Sequence, residues 1–302
     1  MTRPRPNAGR LTASAWLVAA GLALLAGCAG ATEPAAPPAV SDRTHWVPVV
    51  DAAGTTRMML ARVCRPDAAG PLPVAVINHG SPVTPGLRRD MRPASCDSEP
   101  ARWFLARGYL VMFPLRRGYG ASGGGLAESS GPCERPDYVR AGIESARDVD
   151  AAVRYAISLP NVRRDRAVVV GQSLGGWATL AYAAEPHPEV AALISMAGGR
   201  GGHAHAEAYA NCRPDLLVAA AGAFGRTART PMLWVYAEND SWFPPDLVRA
   251  MYAAFTGAGG RAVLAQPNFD GGDGHALFYG PGGSRVWGPL VAAYLAGQTP
   301  GG

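Results

Sequence analysis

The stretch Val168-Val169-Val170-Gly171-Gln172-Ser173-Leu174-Gly175-Gly176 decides how the rest of the chain is read. Three consecutive β-branched residues after Arg166 and Ala167 spell a short strand buried on both faces. From Ser173 to Ala184 the residues favour a helix. Between the two lies Gly-x-Ser-x-Gly. The glycines two places before and after the serine are small because strand and helix nearly touch at such a turn. The serine is held at the apex with its hydroxyl exposed. In a chain with 38 glycines the bare pattern can arise by chance, but the strand before it and the helix after it give it the context of a nucleophile.

Outward from this turn, strands and helices alternate. Trp46 to Val50 and Thr56 to Val63 are extended runs around Ala52-Ala53-Gly54, a hairpin signal. Pro73 to Asn78 is another β-branched run, Pro100 to Arg107 reads as a helix, and Tyr109 to Phe113 as a strand. Ile143, Ala146, Val149, Val153 and Ile157 recur at helical spacing and predict a long amphipathic helix over Tyr138 to Ser158. Val190 to Met196, Pro231 to Ala237 and Arg261 to Ala265 are further strands, with helices over Pro244 to Thr256 and Ser284 to Ala296. The alternation implies one α/β unit over residues 45–302, a mostly parallel central sheet with helices on both faces. No internal repeat is present.

With these elements in place the chain resembles the α/β-hydrolase superfamily over roughly residues 45 to 298. The family's order is serine, then acid, then histidine. The resemblance therefore implies Asp240, in Glu238-Asn239-Asp240-Ser241 after the strand ending at Ala237, as the acid, with Glu238 as competitor. It implies His275, in Asp273-Gly274-His275-Ala276-Leu277-Phe278, as the base that takes the Ser173 proton. Asn78-His79-Gly80-Ser81-Pro82 resembles the family's oxyanion loop, so the backbone N–H groups of Ser81 and Leu174 would face a tetrahedral oxyanion. His79 is then a structural histidine of that turn. Pro114 to Gly125 resembles the family's Arg-Gly-x-Gly-x-Ser loop; no Lys-Ser/Thr follows its glycines, which argues against nucleotide binding. Within the superfamily these signatures look most like the dienelactone-hydrolase and prolyl-oligopeptidase-like branch. Dienelactone hydrolases carry a cysteine nucleophile where this chain has Ser173, and the propeller of oligopeptidases is absent, so carboxylic ester hydrolysis is the expected activity. A serine peptidase or amidase shares every motif. A non-catalytic envelope binding protein would have no need for all of them together.

All 28 basic residues are Arg, for a net charge of +5 and a pI near 9.1. Arg3, Arg5 and Arg10 precede an uncharged Ala/Leu-rich run that ends in Leu25-Ala26-Gly27-Cys28, which resembles a bacterial lipobox. The expectation is a lipoprotein signal peptide over 1–27, a lipid on Cys28, and a Pro/Ala tether over 28–44. An uncleaved membrane anchor is the alternative. Removal of 1–27 leaves 25 Arg against 23 acids, so the basic character is largely a property of the signal. The remaining Arg form no stripe interleaved with aromatics, and nucleic acid is not an expected partner. The expected location is the bacterial envelope, with membrane contact through the lipid and a small ester as substrate.

Cys64, Cys96, Cys133 and Cys212 form an even set, as expected of disulfides in an oxidising compartment, with three pairings open and free buried thiols as the alternative. No Cys/His ligand spacing calls for zinc, and no cofactor is implied. His203-x-His205 lacks a nearby acid or Cys and reads as part of a mobile Gly-rich loop. Trp177 reads as packing under its helix, Trp242 and Phe278 as walls of a substrate pocket, and Tyr119 as a border of the oxyanion site. Residues 197–230 leave room for a helix or two, which implies a small lid or none.

Overall fold

The computed structural model describes residues 39–82 and 84–297, which form a single unit. The proposed signal peptide, Cys28 and the first part of the tether lie outside the described residues. In chain order the elements are β1 (Val40–Val50), β2 (Thr56–Pro66), β3 (Val74–Asn78), α1 (Pro85–Arg89), α2 (Glu99–Leu105), β4 (Leu110–Pro114), α3 (Tyr138–Ser158), β5 (Ala167–Gln172), α4 (Leu174–Tyr182), β6 (Val190–Met196), α5 (Pro214–Gly225), β7 (Met232–Val235), α6 (Pro245–Gly257), β8 (Ala262–Ala265) and α7 (Ser284–Gly297). Among the described residues no helix is long and apolar enough to cross a membrane.

The eight strands make one sheet in the order β1-β2-β4-β3-β5-β6-β7-β8. β1, β2 and β4 pair antiparallel, and every pair from β4 to β8 is parallel. The parallel strands β3, β4 and β7 are buried at every residue, which is why their sequences read as continuous apolar runs. One face packs against α3 to α6, through Val149, Val153, Trp177, Phe224, Val248 and Phe255. The other packs against α2 and α7, through Trp103, Phe104, Trp287 and Val291. This is an α/β-hydrolase fold.

The tether boundary needs correction. β1 starts at Val40, and Val40 to Thr44 pair with Pro66 to Arg62, so residues 40–44 belong to the sheet. The apolar pattern does not reveal this because the edge strand is held by its ladder and by the Asp42–Arg62 ion pair at 2.7 Å. The cysteines resolve into Cys64–Cys96 and Cys133–Cys212. The first ties β2 to the segment before α2, and the second ties the segment before α3 to the one before α5.

Candidate active site

Ser173 sits between β5 and α4 with φ +55° and ψ −119°, a conformation that costs a non-glycine residue about 1–3 kcal/mol. Its neighbours enforce it. A Cβ on Gly171 would lie 2.0 Å from the carbonyl oxygen of Gly175, and one on Gly175 would lie 2.3 Å from that of Asn78. Strand, turn and helix thus approach to a distance that only glycine permits. The Ser173 N–H donates to Met196 O, and Ser173 O accepts from the N–H groups of Trp177 and Gly199.

His275 and Asp240 reach the same place from two further loops. His275 lies in a 3₁₀ turn, Gly274–Ala276, capped by Asp273, whose carboxylate accepts from His275 N at 2.9 Å. The loops carrying Asp240 and His275 are sewn together by Asn239, whose side-chain amide donates to Phe269 O and Gly272 O and whose carbonyl accepts from Gly274 N. The outcome is a line of side chains. His275 Nε2 is 3.0 Å from Ser173 Oγ, and His275 Nδ1 is 3.1 Å from Asp240 Oδ2. Asp240 is fully buried, and its Oδ1 also accepts from the N–H groups of Trp242 (2.8 Å) and Phe243 (3.1 Å). Those donors hold the carboxylate in one orientation toward the imidazole. The competitor Glu238 is exposed, and the structure does not bring it to His275.

Ser81 follows β3 and stands beside the elbow: a Cβ on the neighbouring Gly80 would meet Gln172 Oε1 at 2.4 Å and Ser173 Cβ at 3.0 Å. The backbone N–H groups of Ser81 and Leu174 have no hydrogen-bond partner among the described residues. The loop is held from behind. His79 Nε2 accepts from the backbone N–H of Arg116 at 3.1 Å, and its Nδ1–H donates to Gly80 O. Burial, reinforced by the Arg116 charge, holds this imidazole down at about 3, so it is neutral and fixed in one tautomer. The Arg116 guanidinium donates to His79 O at 2.7 Å and forks onto Glu128, with Nε–Oε2 at 2.8 Å and Nη2–Oε1 at 3.0 Å. Burial pushes the Glu128 carboxyl up, but Arg116 and Arg200 outweigh it and leave it at about 2.

Two pocket assignments are corrected here. Tyr119 is fully buried, with its ring edge-on to His79 at 4.6 Å and its hydroxyl donating to Glu128 Oε1. It props the oxyanion loop and does not face a cleft. Phe278 is 1% exposed and packs on Trp287 and Tyr279 in the core, because the turn that presents His275 points the next aromatic inward. Trp242, in contrast, lies against the His275 ring at 5.1 Å. Trp177 is buried under α4 and its indole N–H donates to Tyr138 O, as its helix position implies. The His203-x-His205 pair is parted. His203 stacks on Trp242 at 3.9 Å and meets Ser241 Oγ at 2.8 Å, while His205 Nε2 faces Cys133. Their segment is anchored by the Cys133–Cys212 disulfide and by Tyr138 OH donating to Cys212 O, not a free Gly-rich loop.

Sequence reasoning missed Glu128, Arg200, Ser241 and Asp273. Arg200 is buried and donates to Glu128 O; Ser241 OH donates to Asp273 and joins the cap of the His275 turn. No spacing announces Glu128, since its partners are Arg116, Tyr119 and Arg200. Asp273 had a signal, because an Asp two places before a turn residue is a common local cap. A serine polarised by a buried Asp–His pair, beside two free backbone N–H groups, can attack a carbonyl and hold the resulting oxyanion.

No curated protein matches the chain. Among solved structures, a protein described as a dienelactone hydrolase from Klebsiella pneumoniae subsp. pneumoniae MGH 78578 is 19% identical, with TM-score 0.53, covering 85% of this chain and 99% of that one. Pyrococcus horikoshii acylaminoacyl peptidase is 16% identical, with TM-score 0.60, over 85% of this chain and 41% of that one. Acetyl xylan esterase 1 from Thermoanaerobacterium sp. JW/SL YS485 is 16% identical, with TM-score 0.52, over 88% and 89%. These likenesses carry the fold. Residues 55–223, more than half of the chain, match the X-Pro dipeptidyl-peptidase (S15 family), a stretch that holds β2 to α5 with Ser81, Arg116, Glu128 and Ser173. The chain belongs to this family, on an α/β-hydrolase fold.

Proposed function

We propose that the protein is a serine hydrolase of carboxylic esters that works through an acyl-enzyme. Ser173 Oγ attacks the acyl carbon as His275 Nε2 takes its proton. Asp240 fixes the imidazole tautomer and stabilises the imidazolium. The Ser81 and Leu174 N–H groups stabilise the oxyanion. His275 then protonates the departing alcohol, and a water repeats the sequence to release the acid. The observation that carries this reading is the Ser173–His275–Asp240 line beside two unpartnered N–H groups. Labelling with a fluorophosphonate probe tests it: wild type is labelled and Ser173→Ala is not. Labelling that persists in the variant overturns it.

Preference for esters is supported by the pairing of three acids around the site. Glu128 is engaged by Arg116, Asp240 by His275 and Asp273 by Ser241, so none of these three is left to hold a peptide's terminal ammonium. Cleavage of X-Pro peptides is the second reading, and the family match favours it. Matched p-nitrophenyl ester and X-Pro p-nitroanilide substrates separate the two; faster anilide turnover establishes the peptidase. We further propose that Cys28 carries a lipid that holds the domain at the bacterial envelope. The Arg-rich start, the apolar run and Leu25-Ala26-Gly27-Cys28 support this reading.

A further inference from the structure

At the end of the sheet opposite Ser173, a cavity of about 830 Å³ is lined by α3, α4, α5 and the segment leading into β6. Its wall holds three electron-pair donors that the hydrolytic site does not use. His187 stacks on Tyr182 at 3.5 Å, and its Nε2 lies 2.9 Å from Tyr182 O. A carbonyl only accepts, so Nε2 carries the hydrogen and Nδ1 of the neutral ring presents a lone pair. That lone pair faces Asp150 Oδ1 at 3.8 Å and Glu189 Oε1 at 3.7 Å. Asp150 Oδ1 is buried without a hydrogen-bond partner, while Arg154 Nε occupies the other oxygen, Oδ2, at 2.7 Å.

A second observation points to the same spot. The Tyr182 hydroxyl has no hydrogen-bond partner although the residue is only 1% exposed, and it lines the same cavity.

We propose that Asp150, His187 and Glu189 bind a divalent cation of the zinc type in the wall of the cavity that Tyr182 also lines. The three donor atoms lie within 4.8 Å of one another. Bonds of about 2.0–2.2 Å to a tetrahedral ion would put ligands roughly 3.4 Å apart, so the observed spacings close by small side-chain shifts. One imidazole nitrogen and two carboxylates suit zinc, and an imidazole whose second N–H is held by a backbone carbonyl is oriented as a ligand should be. Arg147 and Arg226 also line the cavity and oppose a cation, whereas Arg154 is already engaged by Asp150. Ligand spacing in the sequence conceals the site because Asp150 comes from α3, far from His187-Pro188-Glu189.

Equilibrium dialysis of the chelator-stripped full chain against Zn²⁺ tests the assignment, in wild type, His187→Ala and Glu189→Gln, with circular dichroism and fluorophosphonate labelling as checks on folding. The expected result is one Zn²⁺ per chain at micromolar affinity or tighter, weakened about tenfold or more in each variant while labelling is retained. Glu189→Gln keeps the side-chain shape and so remains informative if His187→Ala fails to fold. Absence of stoichiometric binding in wild type overturns the proposal. Binding that is unchanged in both variants also overturns it, since it would lie elsewhere, at His203 or His205.

Discussion

Ser173 stands at a backbone position that a serine adopts at a cost, and two glycine contacts under 2.5 Å explain why it remains there. Ser173→Ala leaves this geometry intact and removes only the hydroxyl, so steady-state ester turnover should fall roughly 10³-fold or more with the unfolding midpoint unchanged. Glu128 is the opposite kind of residue. It touches none of the reacting atoms, yet Arg116, Tyr119 and Arg200 all converge on it. Glu128→Gln leaves the buried Arg116 guanidinium without its counter-charge, and denaturant unfolding should show a loss of about 3–5 kcal/mol. Turnover should fall as well, because Arg116 positions His79 and through it Ser81. His79 gives the fold a pH dependence. Its pKa is held near 3 in the folded chain, against the usual 6.5. The unfolded chain therefore binds the extra proton between these values, and stability is full above about pH 6.5 and lost progressively as pH falls toward 3. His79→Gln removes this proton uptake, so its unfolding free energy should fall less steeply over that window than that of wild type. Equal slopes would show that His79 is protonated in the folded state.

Elements were legible where one pattern dominated. The expected long helix coincides with α3, and Val190 to Met196 coincides with β6, because helical periodicity and a buried apolar run are strong local signals. α1 was missed: it has only five residues, and its apolar content is too sparse to show a period. α5 was expected only as part of a connection with room for a helix or two, and it turned out to pack on α6 instead of capping the site. The segment between β6 and α5 is where element-level control of the site resides. It leaves the elbow at Gly199, passes Trp242 at Gly202 and is closed by the Cys133–Cys212 bond. That bond spans 79 residues of sequence, so replacing both cysteines by serine should cost about 2–4 kcal/mol in denaturant unfolding. Fluorophosphonate labelling of the same variant should slow as the segment loosens beside Ser173. Unchanged stability and labelling together would show that hydrogen bonds such as Cys212 N to Gly201 O suffice to hold it.

Across the whole molecule, the order of Ser173, Asp240 and His275 was readable because the fold delivers each at the end of a strand, where chain order and space coincide. What supports them was not, because Arg116–Glu128 and Ser241–Asp273 are contacts between loops that no periodicity links. The charge follows a similar division. Three of the 28 Arg precede Cys28 with no acid among them, which fits a segment addressed to a membrane, while the rest of the chain is nearly balanced. If Cys28 carries the lipid, anchoring and hydrolysis are separable, because the domain's sheet begins only at Val40. Cys28→Ala in the producing cell should then abolish incorporation of a labelled fatty acid and move the protein from the membrane fraction to the soluble one. Its Ser173-dependent fluorophosphonate labelling should equal that of wild type. Unchanged fatty-acid incorporation would refute lipidation at Cys28, and loss of probe labelling in the soluble variant would show that the domain needs the membrane to act.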